Sequence, residues 1–120
     1  MITKHQKKEL YRLLHILIRK RDGERCLRCG KTEALHLSHI YPRGKYRKLQ
    51  FDERNLILLC AGCHLFWFHK HPLEAGEWIK TILPKERLDK LKLMANSTIK
   101  SPMEYKLLKL YFEQKIKKGG

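Results

Sequence analysis

Acidic side chains are scarce in this 120-residue chain, and long apolar runs are missing. Asp and Glu total 12 against 27 Lys and Arg, which gives a formal net charge of +15. No apolar run reaches the roughly 18 residues that a membrane span needs. Charged residues interrupt the apolar positions that follow Met1, so we expect no signal peptide and no membrane association. Internal repeats and low-complexity stretches are also missing, and the length predicts one domain with at most an appended helix or two.

The basic excess is spread over both halves of the chain and favours a polyanionic partner. Nucleic acid is the first candidate for such a charge. The apolar fraction of 42% is ordinary, so the chain can build a core and is not a disordered basic tail. A charge that serves only solubility is the alternative. An anionic membrane surface is less favoured, because no segment combines an apolar face with a wholly basic one.

Cysteine occurs only as two C-x-x-C pairs, 30 residues apart. Cys26 and Cys29 form the first pair, and Cys60 and Cys63 form the second. A disulfide framework needs an oxidising compartment, and nothing in the sequence supports export. A thioredoxin-like redox pair would need a surrounding βαβ pattern, which the sequence lacks. The spacing therefore predicts a structural zinc ion held by four thiolates. Gly30 suits the tight turn of the first pair.

Apolar periodicity and breaker residues predict a chain of short elements. Leucines at helical spacing predict a first helix over 4–21. The other predicted elements are strands over 35–41 and 56–59, a basic loop over 43–54, and helices over 61–70, 74–83, 85–94 and 101–118. The last helix is predicted to begin with a capping box at Ser101–Glu104. We divide the chain into a domain over 1–95 and a helical extension over 96–120, whose apolar face packs on the domain or on a second subunit.

Three polar residues between and beside the cysteine pairs stand where a zinc site alone does not need them. His39 ends the first strand, Asn55 precedes the second, and His64 follows the last cysteine. This strand–loop–strand–helix pattern resembles the HNH endonucleases over residues 26–70. The resemblance implies a small α+β fold: a ββα-metal (His-Me finger) core stapled by the four-cysteine zinc site, with flanking helices.

Two subgroups of that family share further features with the chain. A motif enclosed by two zinc-binding cysteine pairs is similar to the phage endonuclease VII-type resolvases. The tripeptide sequence Ser38-His39-Ile40 and the segment 51–55 resemble those of the lambda-phage Rap-like recombination endonucleases. These likenesses imply a phage or bacterial cytoplasmic origin and a role on recombination intermediates.

The resemblance also implies a role for each of the three residues. His39 would be the general base that deprotonates water, and imidazole titrates in the range which that task needs. His64 would bind the catalytic metal, Mg²⁺ or Mn²⁺, with Ni²⁺ as a softer alternative. Asn55 would brace the loop and orient His39. Hydrolysis of a DNA phosphodiester bond, as a nick in duplex or a cut in branched DNA, is the implied reaction.

The chain departs from the family pattern at the position before the base. Many HNH enzymes place Asp or His there as the second metal ligand, whereas this chain has Ser38. Ser38 could bind the metal through water, or the site could be catalytically weak. His36, two residues earlier on the same face of the strand, could also supply the ligand.

The basic loop lies between the proposed base and Asn55, where a phosphate backbone must run. We expect DNA contacts from its cations, with a solvated charged face as the alternative: Arg43, Lys45, Arg47, Lys48 and Arg54. Arg43 and Arg47 are favoured, because guanidinium groups match phosphate oxygens. No base-reading pattern is recognisable, so low sequence specificity is expected. His69 and His71 are interpreted as solvated histidines, or else as phosphate or metal contacts.

Two functions compete with the nuclease. A non-catalytic zinc-stapled DNA-binding module explains the charge and the cysteines but not the three polar residues. A zinc-stapled protein-interaction domain explains the last helix but not the charge. A homodimer, with the 101–118 helix at its interface, is an attractive arrangement for cutting both strands of a duplex.

Overall fold

The computed structural model describes residues 2–98 and 104–119. Its elements are helix α1 (Lys4–Asp22), strands β1 (Leu35–His39) and β2 (Leu56–Cys60), a π-helix (Cys63–Phe68), and helices α2 (Pro72–Ile82), α3 (Lys85–Ala95) and α4 (Tyr105–Lys118). Two single 3₁₀ turns, Arg47–Leu49 and Glu53–Asn55, interrupt the long connection between the strands. The predicted small α+β fold is confirmed, and a two-stranded sheet with flanking helices is consistent with the ββα arrangement of the HNH fold.

Helix α1 is bounded by capping interactions at both ends. The Thr3 hydroxyl accepts the backbone N–H of Gln6, and the Gln6 side chain accepts the backbone N–H of Thr3, which forms a capping box. At the other end Gly23 adopts φ 81°, a left-handed conformation that costs glycine little. The helix buries its leucine stripe, as the sequence predicts, through Leu10, Leu13, Leu14 and Ile18.

Strands β1 and β2 form an antiparallel pair at the centre of the molecule. The register sets Leu35 opposite Cys60 and His39 opposite Leu56. Every residue of β2 is buried, so its apolar run Leu56–Leu59 lies inside the core. This pairing brings Cys60, of the second cysteine pair, beside the start of β1, and it brings His39 beside the start of β2.

Two guanidinium groups hold the start of β2. Arg21, at the end of α1, and Arg87, in α3, both donate to the backbone carbonyl of Leu56. Arg87 also donates to the carbonyl of Arg54 at 2.9 Å. Burial, and then the neighbouring Arg21 charge, lower the pKa of Arg87 to about 10. The two arginines therefore tie both flanking helices to the strand that leads into the second cysteine pair.

Helix α4 packs on α1, so part of its apolar face contacts the domain, which is one of the two arrangements that the sequence allows. Phe112 is 1% exposed and belongs to the same core as Leu10 and Leu14. Leu107 and Leu110 remain 62% and 53% exposed. The division of the chain at residue 95 stays a prediction. Among the described residues, no helix combines the length and the apolar character needed to cross a membrane.

Most predicted elements are present, with shifted ends. The strand predicted over 35–41 stops at His39, and the helix predicted from residue 74 begins at Pro72, which occupies its first turn. Helix α4 begins at Tyr105, and Glu104 is its N-cap without a side-chain capping bond. The remainder of the predicted capping box, residues 101–103, lies outside the described residues.

Candidate functional site

The four cysteines converge on one point. Their sulfur atoms all lie within 4.8 Å of one another, and the Sγ atoms of Cys29 and Cys60 are 3.6 Å apart. Zinc–sulfur bonds of about 2.3 Å in a tetrahedron place sulfurs ~3.8 Å apart, which matches this spacing. The backbone N–H of Cys29 donates to Cys26 Sγ at 3.5 Å, and that of Cys63 donates to Cys60 Sγ at 3.4 Å. The cluster fits a structural zinc ion.

The ionisation of the thiols also points to a cation. Burial, together with hydrogen bonds to the neighbouring thiols, raises the pKa of Cys63 to about 12. Burial acts to raise the pKa of Cys26 as well, but hydrogen bonds from the backbone of Cys29, Cys60 and Arg28 outweigh it and lower that pKa to about 6. The Cys63 thiol therefore ionises near neutral pH only where a positive ion stabilises its thiolate. The donor set thus agrees with the geometry.

Arg28 links the cysteine cluster to the π-helix. Its guanidinium lies 3.8 Å from the ring centroid of Trp67, and Nη1 donates to Cys63 Sγ at 3.5 Å. Gly30 supports the same turn with φ 81°. The first cysteine pair is thereby fixed against the helix that follows the second pair.

His39 lies at the end of β1 with one ring nitrogen already engaged. Its Nε2 is 3.0 Å from the carbonyl oxygen of Gln50, which can only accept, so Nε2 carries the proton and Nδ1 keeps a free lone pair. Burial lowers the pKa of His39, the Gln50 contact opposes that shift, and the charges of Arg43 and His69 lower it further. Tyr11 packs edge-on against the ring at 6.0 Å. A neutral imidazole held in one tautomer can accept a proton at Nδ1.

Asn55 is fully buried and braces the loop after β1. Its side-chain carbonyl accepts the backbone N–H of Tyr41 at 2.8 Å, and its amide donates to the carbonyls of Tyr41 and Leu49 at 3.0 and 3.2 Å. Its side-chain hydrogen bonds therefore go to this loop, and His39 is held by Gln50, the residue next to Leu49. Asn55 is thus placed to act on His39 through the loop.

We expect Asn55→Ala to lower the free energy of unfolding by about 2–4 kcal/mol, because it leaves the buried carbonyl of Leu49 and partly buried backbone groups of Tyr41 without their Asn55 partner. Urea unfolding followed by circular dichroism measures the change. Asn96→Ala is the matched control, since Asn96 is exposed and its side-chain amide donates to the neighbouring carbonyl of Lys92. If the two variants lose equal stability, the bracing role is refuted.

Three imidazoles form a chain beside His39. His36 Nδ1 is 3.0 Å from His64 Nδ1, and His69 Nε2 is 2.8 Å from His64 Nε2. Burial lowers the pKa of His64 to about 4, and the charges of His69, His36 and His39 add to that effect. At neutral pH His64 is uncharged, so one of its ring nitrogens offers a lone pair for a metal ion.

The 3.6-residue period of an α-helix would place His69 off the face of His64, yet the two rings meet in the structure. The segment Cys63–Phe68 is a π-helix, in which the N–H of His69 bonds to the carbonyl of His64 at 3.4 Å. Residues five apart therefore face the same way, whereas an ordinary α-helix would separate them. His71 is exposed and is the N-cap of α2.

Ser38 and His36 occupy different surroundings. The Ser38 side chain is fully buried, and its hydroxyl has no hydrogen-bond partner among the described residues. His36 contacts His64 and lines the same cavity as His39 and His69, whereas Ser38 is not part of that lining. The role of each as a metal ligand stays a prediction.

The cavity holding these histidines has a volume of about 1020 Å³. Helix α1 contributes two residues that the sequence analysis did not assign to the site, Tyr11 and His15. His15 Nε2 lies 3.2 Å from the carbonyl of Leu35. Their spacing of four residues, which puts both on one helical face, was the signal that could have found them.

The cations of the basic loop divide into two groups. Arg43, Lys45 and Arg47 are exposed, and Arg43 borders the cavity. Lys48 donates to the Ser97 carbonyl, and Arg54 forms an ion pair with Asp52 at 2.8 Å. The first group presents its charge to solvent, with Arg43 beside the histidines, whereas the second also makes internal contacts.

A family model described as HNH endonuclease matches residues 26–65, about a third of the chain. The matched segment contains both cysteine pairs, His39, Asn55 and His64. It indicates chemistry of the nuclease-type hydrolases in general. No curated protein and no solved structure matches the chain. The finer likeness to the Rap-like and endonuclease VII-type enzymes has no support in these comparisons and stays a prediction.

Proposed function

We propose that the chain is a metal-dependent HNH endonuclease that hydrolyses DNA phosphodiester bonds. The observation that carries this proposal is the setting of His39. Its Nδ1 is not engaged by the Gln50 contact, and the residue shares one cavity with three further imidazoles in mutual contact, His36, His64 and His69. A zinc staple requires none of these imidazoles. The HNH match over residues 26–65 supports the same assignment.

His39 acts as the general base in this proposal. Its Nδ1 accepts a proton from the attacking water, while the Gln50 carbonyl holds the Nε2 proton and steadies the ring. Asn55 keeps the loop that carries this carbonyl in place. The imidazoles of His64 and His36 would hold a divalent ion, which would supply positive charge for the phosphate and the departing 3′ oxygen.

His64 is the proposed metal ligand, with His36 as its partner in place of Ser38. The 3.0 Å approach of the two imidazoles supports His36, and the burial of Ser38 away from the cavity lining argues against a direct role for the serine. Nitrogen donors suit Mn²⁺ and Ni²⁺ better than Mg²⁺. We therefore rank Mn²⁺ and Ni²⁺ above Mg²⁺ as activating ions.

DNA is the proposed partner, bound with low sequence specificity. The net charge of +15 and the exposed cations beside the cavity match a phosphate backbone. Duplex nicking and cleavage of branched recombination intermediates are both within the proposal. So are a homodimer through α4 and a cytoplasmic location in a bacterium or a phage-infected cell. The domain proposed for this activity spans 1–95, with 96–120 as a helical extension.

The second candidate is a non-catalytic zinc-stapled DNA-binding module. One observation favours it, which is that Ser38 stands where many HNH enzymes have a metal-binding side chain and is buried. The two candidates agree on DNA binding and differ on cleavage.

We expect the wild-type protein to cut supercoiled plasmid or a synthetic four-way junction only with an added divalent ion. Gel assays with EDTA, Mg²⁺, Mn²⁺ and Ni²⁺ measure this. Because His36 supplies one of the two proposed nitrogen ligands, His36→Ala should raise the metal concentration that gives half-maximal cleavage by at least the roughly 10- to 100-fold that loss of a mere partner of a metal ligand causes. His71→Ala is the control.

Two outcomes would count against this assignment. Tight, salt-sensitive binding of both DNAs without cleavage under any ion would establish the binding module. An unchanged metal requirement in His36→Ala would remove His36 from the site.

A further inference from the structure

The cavity beside His39 is larger and more apolar than hydrolysis of a phosphodiester requires. Its volume of about 1020 Å³ lies at the top of the ~300–1,000 Å³ range of organic-ligand sites. A liquid water occupies only about 30 Å³, so a water, an ion and a phosphate group leave most of the space unfilled. Apolar side chains form much of the wall: Leu35, Leu37, Ile40, Phe68, Ala75 and Ile79.

The charges and rings around the cavity select the chemistry of its occupant. Basic side chains outnumber acidic ones among its lining residues, so its border is cationic. The basic residues are Arg43, Lys80 and Lys92, and the acidic residue is Asp89. Tyr11 also lines it, and the buried Tyr11 hydroxyl has no hydrogen-bond partner within the described parts of the chain. The apolar wall, the cationic border and the Tyr11 hydroxyl together favour one kind of occupant. It has an anionic group at one end and a flat, apolar ring with polar edges at the other. A nucleotide is such a molecule.

We propose that this cavity receives an unpaired nucleotide next to the scissile phosphate. The proposal rests on the nuclease function and names its substrate class, which is DNA with unpaired bases at the cut: single strands, flaps, bulges or branch points. In continuous duplex the bases are paired and stacked, and a base can enter the cavity only by leaving the stack at an energetic cost. The apolar wall supplies the surface on which an unpaired base rests.

A substitution at Gly76, in α2, is designed to fill part of the cavity. It lines the cavity, and a Cβ built there meets no atom within 4 Å. Gly76→Phe therefore places an aromatic side chain on a lining residue whose Cβ has open space around it. Leu73→Phe is the matched control, because Leu73 lies in the same helix, is 87% exposed and is not among the lining residues.

The experiment measures binding without any added divalent ion, so its result does not depend on cleavage. Fluorescence anisotropy compares a duplex containing a bulged nucleotide with the fully paired duplex of the same sequence. The wild-type protein and Leu73→Phe should bind the bulged DNA roughly tenfold more tightly, and Gly76→Phe should lose the difference. Thermal melting verifies that both variants fold.

A second measurement on the wild-type protein serves if Gly76→Phe does not fold. A 2-aminopurine at the bulge should change its emission on binding, whereas the same base in the paired duplex should not. Equal affinity for the two DNAs, equal emission responses, or an undiminished preference in folded Gly76→Phe would each overturn the base pocket. Any of these could occur in an active nuclease, whereas failure of the nuclease function shows as binding without cleavage.

Discussion

Replacing His39 by alanine is expected to reduce metal-dependent DNA cleavage by about 10²- to 10⁴-fold, the range that a general base contributes. The structure gives the reason in the hydrogen bond from Nε2 to the Gln50 carbonyl, which leaves Nδ1 as the ring's proton acceptor. Alanine removes that acceptor. Single-turnover cleavage at saturating metal measures the loss, because it separates the chemical step from product release.

Binding and folding of the same variant should change little. His39 is half-buried at the end of β1 and contributes no charge to the basic loop while it is neutral. Anisotropy with the same DNA and a thermal melt verify both points. His5→Ala is the matched control, since His5 is exposed on α1 and does not line the cavity.

Chemical rescue sharpens the test of His39. Free imidazole should restore part of the lost activity of His39→Ala, because alanine leaves room in a cavity of about 1020 Å³. A purely structural role gives no such rescue. Cleavage within twofold of wild type in folded His39→Ala would assign the base to another group.

The secondary structure was predictable wherever one local signal dominated. The leucine stripe and Gly23 set the extent of α1, and the apolar run Leu56–Leu59 set β2. Each cysteine pair was predictable from its spacing, because a C-x-x-C turn brings its own two sulfurs together. The meeting of the two pairs depends in addition on the pairing of β1 with β2.

The histidine chain was not predictable, because it depends on a rare helix type. A period of 3.6 residues separates His64 from His69, whereas the π-helix brings them to 2.8 Å. No simple residue pattern announces a π-helix, which in known proteins is often associated with functional sites. Arg28 stacks on Trp67 within this segment and bonds to Cys63, a contact that only the folded chain reveals.

The choice between His36 and Ser38 shows the limit of strand alternation. Residues two apart share a face of a strand, so the pattern allowed both to reach the metal. In the structure the short Ser38 side chain is covered completely, and the longer imidazole of His36 reaches His64. Side-chain length therefore separates two positions that the alternation treats alike.

Loss of zinc is expected to unfold the domain. Structural zinc contributes about 10–16 kcal/mol of apparent binding free energy in small zinc domains, which is comparable to or larger than the roughly 5–15 kcal/mol stability of a typical protein. Cys60 ends β2 and Cys63 begins the π-helix, so a zinc ion at the four thiols would join the sheet to the element that carries His64. Without it, the sheet and the histidine chain lose their common anchor.

Cys29→Ser tests this with little disturbance of the core. Cys29 is the exposed member of the cluster, so a serine there costs about 0.5 kcal/mol or less if the thiol serves only packing. If Cys29 binds zinc, the variant should lose most of the folding free energy and release its metal to a weak chelator. Metal analysis and urea unfolding measure both effects, with Thr32→Ser, exposed in the same loop, as the control. Wild-type protein that contains no zinc, or a Cys29→Ser variant as stable as Thr32→Ser, would show that the four thiols hold no structural ion and that the fold is held by its apolar core alone.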